Sequence, residues 1–400
     1  MQRDLGRLLV AFTCVALPLA AALARAQAPV VPRAGASASG LELDALNPSV
    51  DACTDFYQYA CGGWLAGNAI PSDRPRWGRF DELQERNYEV LRRVLEAASS
   101  GRDAATRKIG DYYASCMDEA AINRRGLTPL DPDLKNIAAL ATLDRLPELL
   151  AGLHRIGVFA FFGFGAEGDF KDASTVMAIV AQGGMGLPDR DYYLREDDRS
   201  TDIRTKYVAH IARMLTLAGM PAAQAPAAAA TVMRLETTLA RAALDVVARR
   251  NPEMIYHKMT GAELQALTTR FDWARYLRGV AAPPLAGVNV TEPDFFKAFD
   301  QTLAGTPLDD IKLYLRWQLL HANAFILSTP FADEHFDFYS RTLLGVTEQR
   351  PRWKRCVQYV DTDLGEALGQ AFVRDAFGPQ AKADMLKMVG EIKAALELDI

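Results

Sequence analysis

Along most of the chain, apolar residues recur at intervals of three and four, the period of a helix with one buried face. Phe80, Leu83, Leu91, Val94, Leu95 and Ala98 share one such face, and Ile109, Tyr112, Tyr113 and Cys116 share the next. A third stripe, Leu146, Leu149, Leu150, Leu153 and Ile156, predicts a helix over roughly 143–156. Beyond Ser200, Tyr207, Val208, Ile211, Met214, Leu215 and Ala218 form another stripe. An Ala-rich run then continues to Arg249, where Asn251-Pro252 breaks it. Thr260 and Glu263 make a capping box. Thr306-Pro307 with Asp309 and Asp310 marks a further start, for a helix running to about Ile326. Helices follow near 353–360 and 364–372, and a last one begins at Gln380.

One region leaves the helical period. Residues 158–164 are apolar and aromatic, 175–181 are rich in β-favouring residues, and Gly-Asp-Phe-Lys-Asp separates them. That pattern predicts a small antiparallel pair. The fold expected is therefore mainly α: a multi-helical lobe with a small antiparallel β element near 158–182. The loop from Val280 to Val290, with its Pro-Pro pair, is the expected internal hinge.

Charge and composition remove function classes rather than add them. A net charge of −5 over 400 residues, with no basic run, argues against nucleic acid and against a basic membrane-surface helix. The N-terminus is distinctive. Arg3 and Arg7 precede an apolar stretch from Leu8 to Leu23, and Ala24-Arg25-Ala26 or Ala26-Gln27-Ala28 offers a small-x-small cleavage site. Residues 1–28 are expected to be a signal peptide, 29–47 a disordered tether and 48–400 the folded part. No membrane span is expected after cleavage, and the location is exported, periplasmic or extracellular. Export permits disulfides among Cys53, Cys61, Cys116 and Cys356.

Motifs that carry chemistry are scarce. Gly163-x-Gly165-x-x-Gly168 has dinucleotide-binding spacing, but a strand rather than a helix is expected after it, so a Gly-rich strand and turn is the better reading. His154, His210, His257, His321 and His335 include no pair within four residues. Glu253 and His257 are the single acid–His pair one turn apart, and two ligands do not make a zinc site. No Gly-x-Ser-x-Gly elbow and no Cys-x-x-Cys occurs. No catalytic residue and no metal ligand is assigned. Asn289-Val-Thr291 is a glycosylation sequon where the host glycosylates.

Ordered blocks nevertheless run through the chain. Asp51-x-Cys53 is followed by Asp55-Phe-Tyr-x-Tyr-Ala-Cys-Gly62 and Trp77-Gly-Arg-Phe80. Tyr112-Tyr-Ala-Ser-Cys116, Gly186-Leu-Pro-Asp-Arg-Asp-Tyr-Tyr193, Arg250-Asn-Pro-Glu-x-x-Tyr256, Phe271-Asp-Trp273, Trp353-Lys-Arg-Cys356 and Gly365-Glu-Ala-Leu-Gly369 come after. In that order they resemble the N-terminal part of the neprilysin-like zinc metallopeptidases of the thermolysin clan.

The resemblance implies two helical lobes around a chamber, zinc-dependent hydrolysis of short peptides, and an incomplete architecture here. The family's His-Glu-x-x-His does not occur among these residues, so the catalytic C-terminal domain is expected to be absent. The chain alone is then expected to hold no catalytic zinc and to cleave nothing. It also implies that Arg76, just before the aromatic-Gly-x-Phe, contacts substrate. Gln84 stands where the family has a second arginine. Family-type pairing would join Cys116 to Cys356 and leave Cys53 and Cys61 for cysteines in the missing part. If Cys53 and Cys61 share one helix, eight residues of ~1.5 Å rise hold them ~12 Å apart, too far for a mutual bond. The alternatives from other classes are a non-catalytic helical peptide-binding protein and a lid subunit completed by a separately encoded catalytic half.

Overall fold

The structure is a computed structural model and describes residues 42–98, 100–101 and 103–399. The expected signal peptide and most of the expected tether lie outside the described residues. The chain divides into two compact units at Ala69/Ile70. In the first, Leu43–Ala45 forms a 3₁₀ turn inside the expected tether, and α1 spans Phe56–Gly67. Asp55 caps α1 by accepting the Gln58 N–H, and the Asn47 N–H donates to Tyr59 O at 2.7 Å. Cys53 therefore precedes the helix rather than lying in it. Cys53 and Cys61 are both unbonded.

The second unit carries the remaining helices of twelve or more residues. These are α2 (Arg79–Ala98), α3 (Ala104–Met117), α4 (Asp198–Leu217), α5 (Ala225–Ala242), α6 (Pro293–Gly305), α7 (Leu308–Asn323), α8 (Arg352–Ala376) and α9 (Pro379–Asp399). The capping box at Thr260–Glu263 is present with both hydrogen bonds. α8 joins the two helices expected near 353–372 across a kink at Leu364. α5 ends short of Arg249. Gln182 exchanges two hydrogen bonds with the Leu244 backbone (2.6 and 3.0 Å), and Arg190 donates to Ala243 O (2.5 Å). Tertiary partners thus take over the backbone groups that a continuing helix would use.

The sheet is larger than the expected pair. β1 (Phe162–Asp169), β2 (Asp172–Gln182), β3 (Lys258–Met259) and β4 (Val288–Val290) lie in the order β1-β2-β4-β3. The β1–β2 pair is antiparallel as expected, β2–β4 is parallel and β3–β4 antiparallel. Residues 158–161 are not strand. Phe161 has φ +66°, and its N–H donates to the Tyr314 hydroxyl at 2.9 Å, so the ladder starts one residue later. The expected hinge is corrected too, because its last residues are β4, all buried and paired with β2. Asn289 is 1% exposed, and both ends of its amide bond to the backbone of Ile255 and His257. In the folded chain that sequon is closed to a glycosylating enzyme.

Two hydrophobic cores form within this unit. The larger runs from Leu130 to Phe338 through the sheet, α4 to α7 and the shorter helices. The smaller joins α2, α3 and α8 through Tyr88, Leu95, Ile109, Tyr113, Val357 and Leu368. Phe80 and Leu83 share the helical face but are exposed, at 89% and 48%. Ile156 is exposed as well. Cys116 of α3 and Cys356 of α8 are bonded, with Cα atoms 5.7 Å apart, beside the smaller core.

At the centre of the larger core lies a charge that periodicity does not reveal. Glu236 of α5 is fully buried. Its Oε2 accepts from the Tyr193 and Tyr207 hydroxyls, both at 2.8 Å. Its Oε1 accepts from Trp317 Nε1 and Gln318 Nε2, both at 3.0 Å. Burial nevertheless outweighs these donors and pushes its pKa up to about 7. The same groups hold the turn before Tyr193. Tyr314 and Gln318 donate to Gly184 O, Tyr339 donates to Gly186 O, and the Leu187 N–H donates to the Tyr193 hydroxyl. A Cβ on Gly186 would lie 2.0 Å from the Tyr207 hydroxyl, and one on Gly184 2.3 Å from that of Tyr314. Only glycine fits so close an approach.

Two outcomes are expected. Glu236→Leu strands four buried side-chain donors and costs on the order of 3 kcal/mol or more in urea unfolding. Between its ordinary value of 4.5 and about 7, folded Glu236 keeps a proton that the unfolded chain releases. Its contribution to stability is therefore full below that window and falls as pH rises through it. Glu236→Gln, compared with wild type at pH 5 and pH 8, should abolish this slope; an unchanged slope contradicts the assignment. For the cysteines, iodoacetamide should label Cys53 and Cys61 in the folded, unreduced chain, and Cys116 and Cys356 only after reduction. Four protected thiols would overturn that.

Candidate functional site

The segment 70–80 is held at both ends before any ligand is considered. The Ser72 carbonyl accepts the N–H groups of Thr347 and Glu348, both at 3.1 Å, and the Ser72 hydroxyl donates to Glu348 at 2.8 Å. Arg74 is buried. Its guanidinium bonds Asp81 (3.0 Å), Gln84 (3.1 Å) and Glu85, and lies over the Trp77 ring at 5.3 Å from the centroid. Lys354 reaches Glu85 from α8 at 2.5 Å. Burial alone would raise the Glu85 carboxyl, but hydrogen bonds from Lys354 and Arg74 outweigh it and hold its pKa below the usual range. This depressed group stabilises the fold at neutral pH and loses that contribution as pH falls through its folded pKa.

Arg76 stands two residues on and is the opposite case. It is exposed, and it makes no hydrogen bond or ion pair among the described residues. A free guanidinium next to a pinned one is a ready partner for a carboxylate or a carbonyl row. Gln84 is a neutral amide that accepts from Arg74, and it supplies no second cation there.

The histidines are brought together in a way their spacing does not suggest. His321 and His335 flank Tyr339, with ring centroids 5.1 and 4.7 Å from it, and His210 lies 5.5 Å from the same ring. The Tyr339 hydroxyl gives its proton to Gly186 O, so it accepts from His321 Nδ1 at 3.1 Å. Burial holds His321 down to about 3 and His335 to about 4. His210 bonds Glu334 at 2.8 Å and is also lowered, chiefly by burial. His154 sits apart, with Nδ1 2.7 Å from the Tyr276 hydroxyl and Nε2 3.1 Å from Ala160 O. These are neutral packing groups. Glu253 and His257 form no ion pair.

No group of three His, Cys, Asp or Glu able to hold a metal occurs among the described residues. The donor set of a catalytic zinc site is therefore not matched by these side chains. Gly163, Gly165 and Gly168 lie in β1 and are followed by β2, so no helix N-terminus faces them. Sequence reasoning missed Glu236, although a lone Glu inside the stripe Val232, Leu235 and Leu239 was a usable signal.

Comparison with known proteins gives this arrangement a family. The N-terminal model of "Peptidase family M13" matches residues 52–400. Endothelin-converting enzyme 1 of Rattus norvegicus is 30% identical over 419 residues, covering 98% of this chain and 54% of the relative. Neprilysin-3 of Drosophila melanogaster is 29% identical over 389 residues, covering 91% and 49%. Among solved structures, the Mycobacterium tuberculosis zinc metalloprotease Zmp1, in complex with an inhibitor, aligns with a TM-score of 0.82 at 33% identity, covering 89% of this chain and 54% of that one. The chain thus spans about half the length of the relatives it matches. No helix of the described residues is long and apolar enough to cross a membrane. The chain belongs to peptidase family M13, to the N-terminal part of its neprilysin-like zinc metallopeptidases.

Proposed function

We propose that these residues form the peptide-enclosing helical half of an exported zinc metalloendopeptidase that hydrolyses short peptides. The observation that carries the proposal is the likeness to Zmp1, a zinc metalloprotease, over 89% of this chain. In complete enzymes of this kind zinc polarises the scissile carbonyl and activates water. The residues described here do not fit that metal, and their part is to bind and orient the peptide. Arg76 takes the C-terminal side of the substrate, and Arg74 fixes the backbone from which Arg76 projects. The chain alone is inactive. Export rests on the signal-like residues 1–28 and accords with the Cys116–Cys356 bond, which persists in an oxidising compartment.

A partner or domain carrying the zinc motif completes the enzyme. The stripe Met385, Met388, Val389, Ile392 and Leu396 on α9 is about half exposed. No side chain of that helix described here is buried. An apolar face of this kind favours completion over the stand-alone peptide binder.

Two substitutions separate the arginines. In the chain joined to a family catalytic half that carries His-Glu-x-x-His, Arg76→Ala should raise KM for short peptides about tenfold, with kcat changed less and the melting temperature unchanged. Arg74→Ala leaves Asp81 and Glu85 short of a partner and should cost roughly 3 kcal/mol of stability. An unchanged KM in Arg76→Ala contradicts the substrate role.

A further inference from the structure

Where the two hydrophobic cores meet there is a pocket of about 240 Å³, bounded by α3, α8 and the helices Glu119–Arg125 and Thr329–His335. Its apolar wall is Phe325, Ile326, Leu327 and Tyr359. The Phe325 and Tyr359 rings lie 5.3 Å apart, and Phe325 and Ile326 remain 38% and 43% exposed at the mouth. The disulfide of Cys116 and Cys356 also lines it.

Its charges are unequal. Arg125, Arg352 and Arg355 line the pocket together with Glu119 and Asp333. Glu119 already accepts from the Thr329 hydroxyl at 2.9 Å and lies 3.7 Å from Arg352. Arg352 is committed as well, donating from Nε to Cys116 O at 2.8 Å. Asp333 is exposed. Arg355 bonds the Arg350 carbonyl through Nε at 3.1 Å, and neither it nor Arg125 forms an ion pair among the described residues. Two guanidiniums with no acid partner thus border an aromatic and aliphatic wall, in a cavity large enough for a small molecule.

We propose that this seam is a binding site for a small amphipathic carboxylate. Its aromatic or branched aliphatic body packs on Phe325, Ile326, Leu327 and Tyr359, and its anion pairs with Arg355 and Arg125. A bound molecule would touch elements of both cores at once and so raise the temperature at which they come apart. The site stands apart from Arg76 and does not depend on the peptidase reading.

Calorimetric titration of the full chain with 4-phenylbutyrate tests it. One molecule should bind per chain with Kd at or below about 1 mM, and the neutral amide 4-phenylbutyramide at least about tenfold more weakly. Arg355→Gln should weaken binding about tenfold. Ser115→Trp, at an exposed lining position, should abolish it while leaving the melting temperature of the free protein in place. Arg125→Gln, also exposed, supplies the test if either of those variants misfolds, and should weaken binding severalfold. Arg76→Ala should leave affinity unchanged. Absence of saturable binding, equal affinity for acid and amide, undiminished binding in Ser115→Trp, or loss of binding in Arg76→Ala would each overturn the proposal.

Discussion

The buried carboxyl of Glu236 is the constraint on which the larger core depends. It lies on α5 and gathers donors from the short helix Asp191–Leu194 before α4, from α4 itself and from α7. Removing an acid from water costs several kcal/mol, and the site meets that cost by surrounding it with donors and letting its pKa rise. The consequences spread outward. Tyr193 must sit with its hydroxyl inward, so the backbone before it must turn in little space, and Gly184 and Gly186 follow from that. The hydroxyls of Tyr314 and Tyr339 close the carbonyls left by the turn. Tyr314 also receives the Phe161 N–H and so decides where β1 begins. A single acid therefore sets the geometry of a turn, three helices and the edge of a sheet.

Arg74 and Arg76 show how one short segment separates a buried, ion-paired arginine from an exposed one, the one proposed to meet substrate. Arg74 is enclosed by two carboxylates, an amide and an indole ring, and Lys354 balances the second acid from across the smaller core. With the backbone fixed in this way, the exposed guanidinium of Arg76 has a defined origin and no partner among the described residues competing for it. Charge alone would not separate the two residues; burial does.

The helices and their starts were legible in the sequence because period and capping are local. The Thr260–Glu263 box and the break before Leu364 needed no tertiary information. The likeness to the metallopeptidases was legible for another reason: blocks such as residues 186–193 are fixed by contacts that tolerate few alternatives. What stayed hidden was non-local. β3 and β4 are two and three residues long and exist through pairing with each other and with β2. The end of α5 is set by Gln182 and Arg190, far away in sequence. Phe80 and Leu83 fit the helical period but lie beyond the buried part of α2, and period says nothing about which end of a stripe is covered. The histidine group around Tyr339 draws on α4, α7 and the segment after Thr329, so no spacing rule could assemble it.

The proposal of a folded helical half that orients peptide and holds no catalytic metal has a direct test. The purified 400-residue chain should unfold cooperatively in urea, showing that it is folded, and should cleave no internally quenched short peptide above background with zinc supplied. Turnover by the folded chain that is abolished by 1,10-phenanthroline and restored by zinc would contradict it.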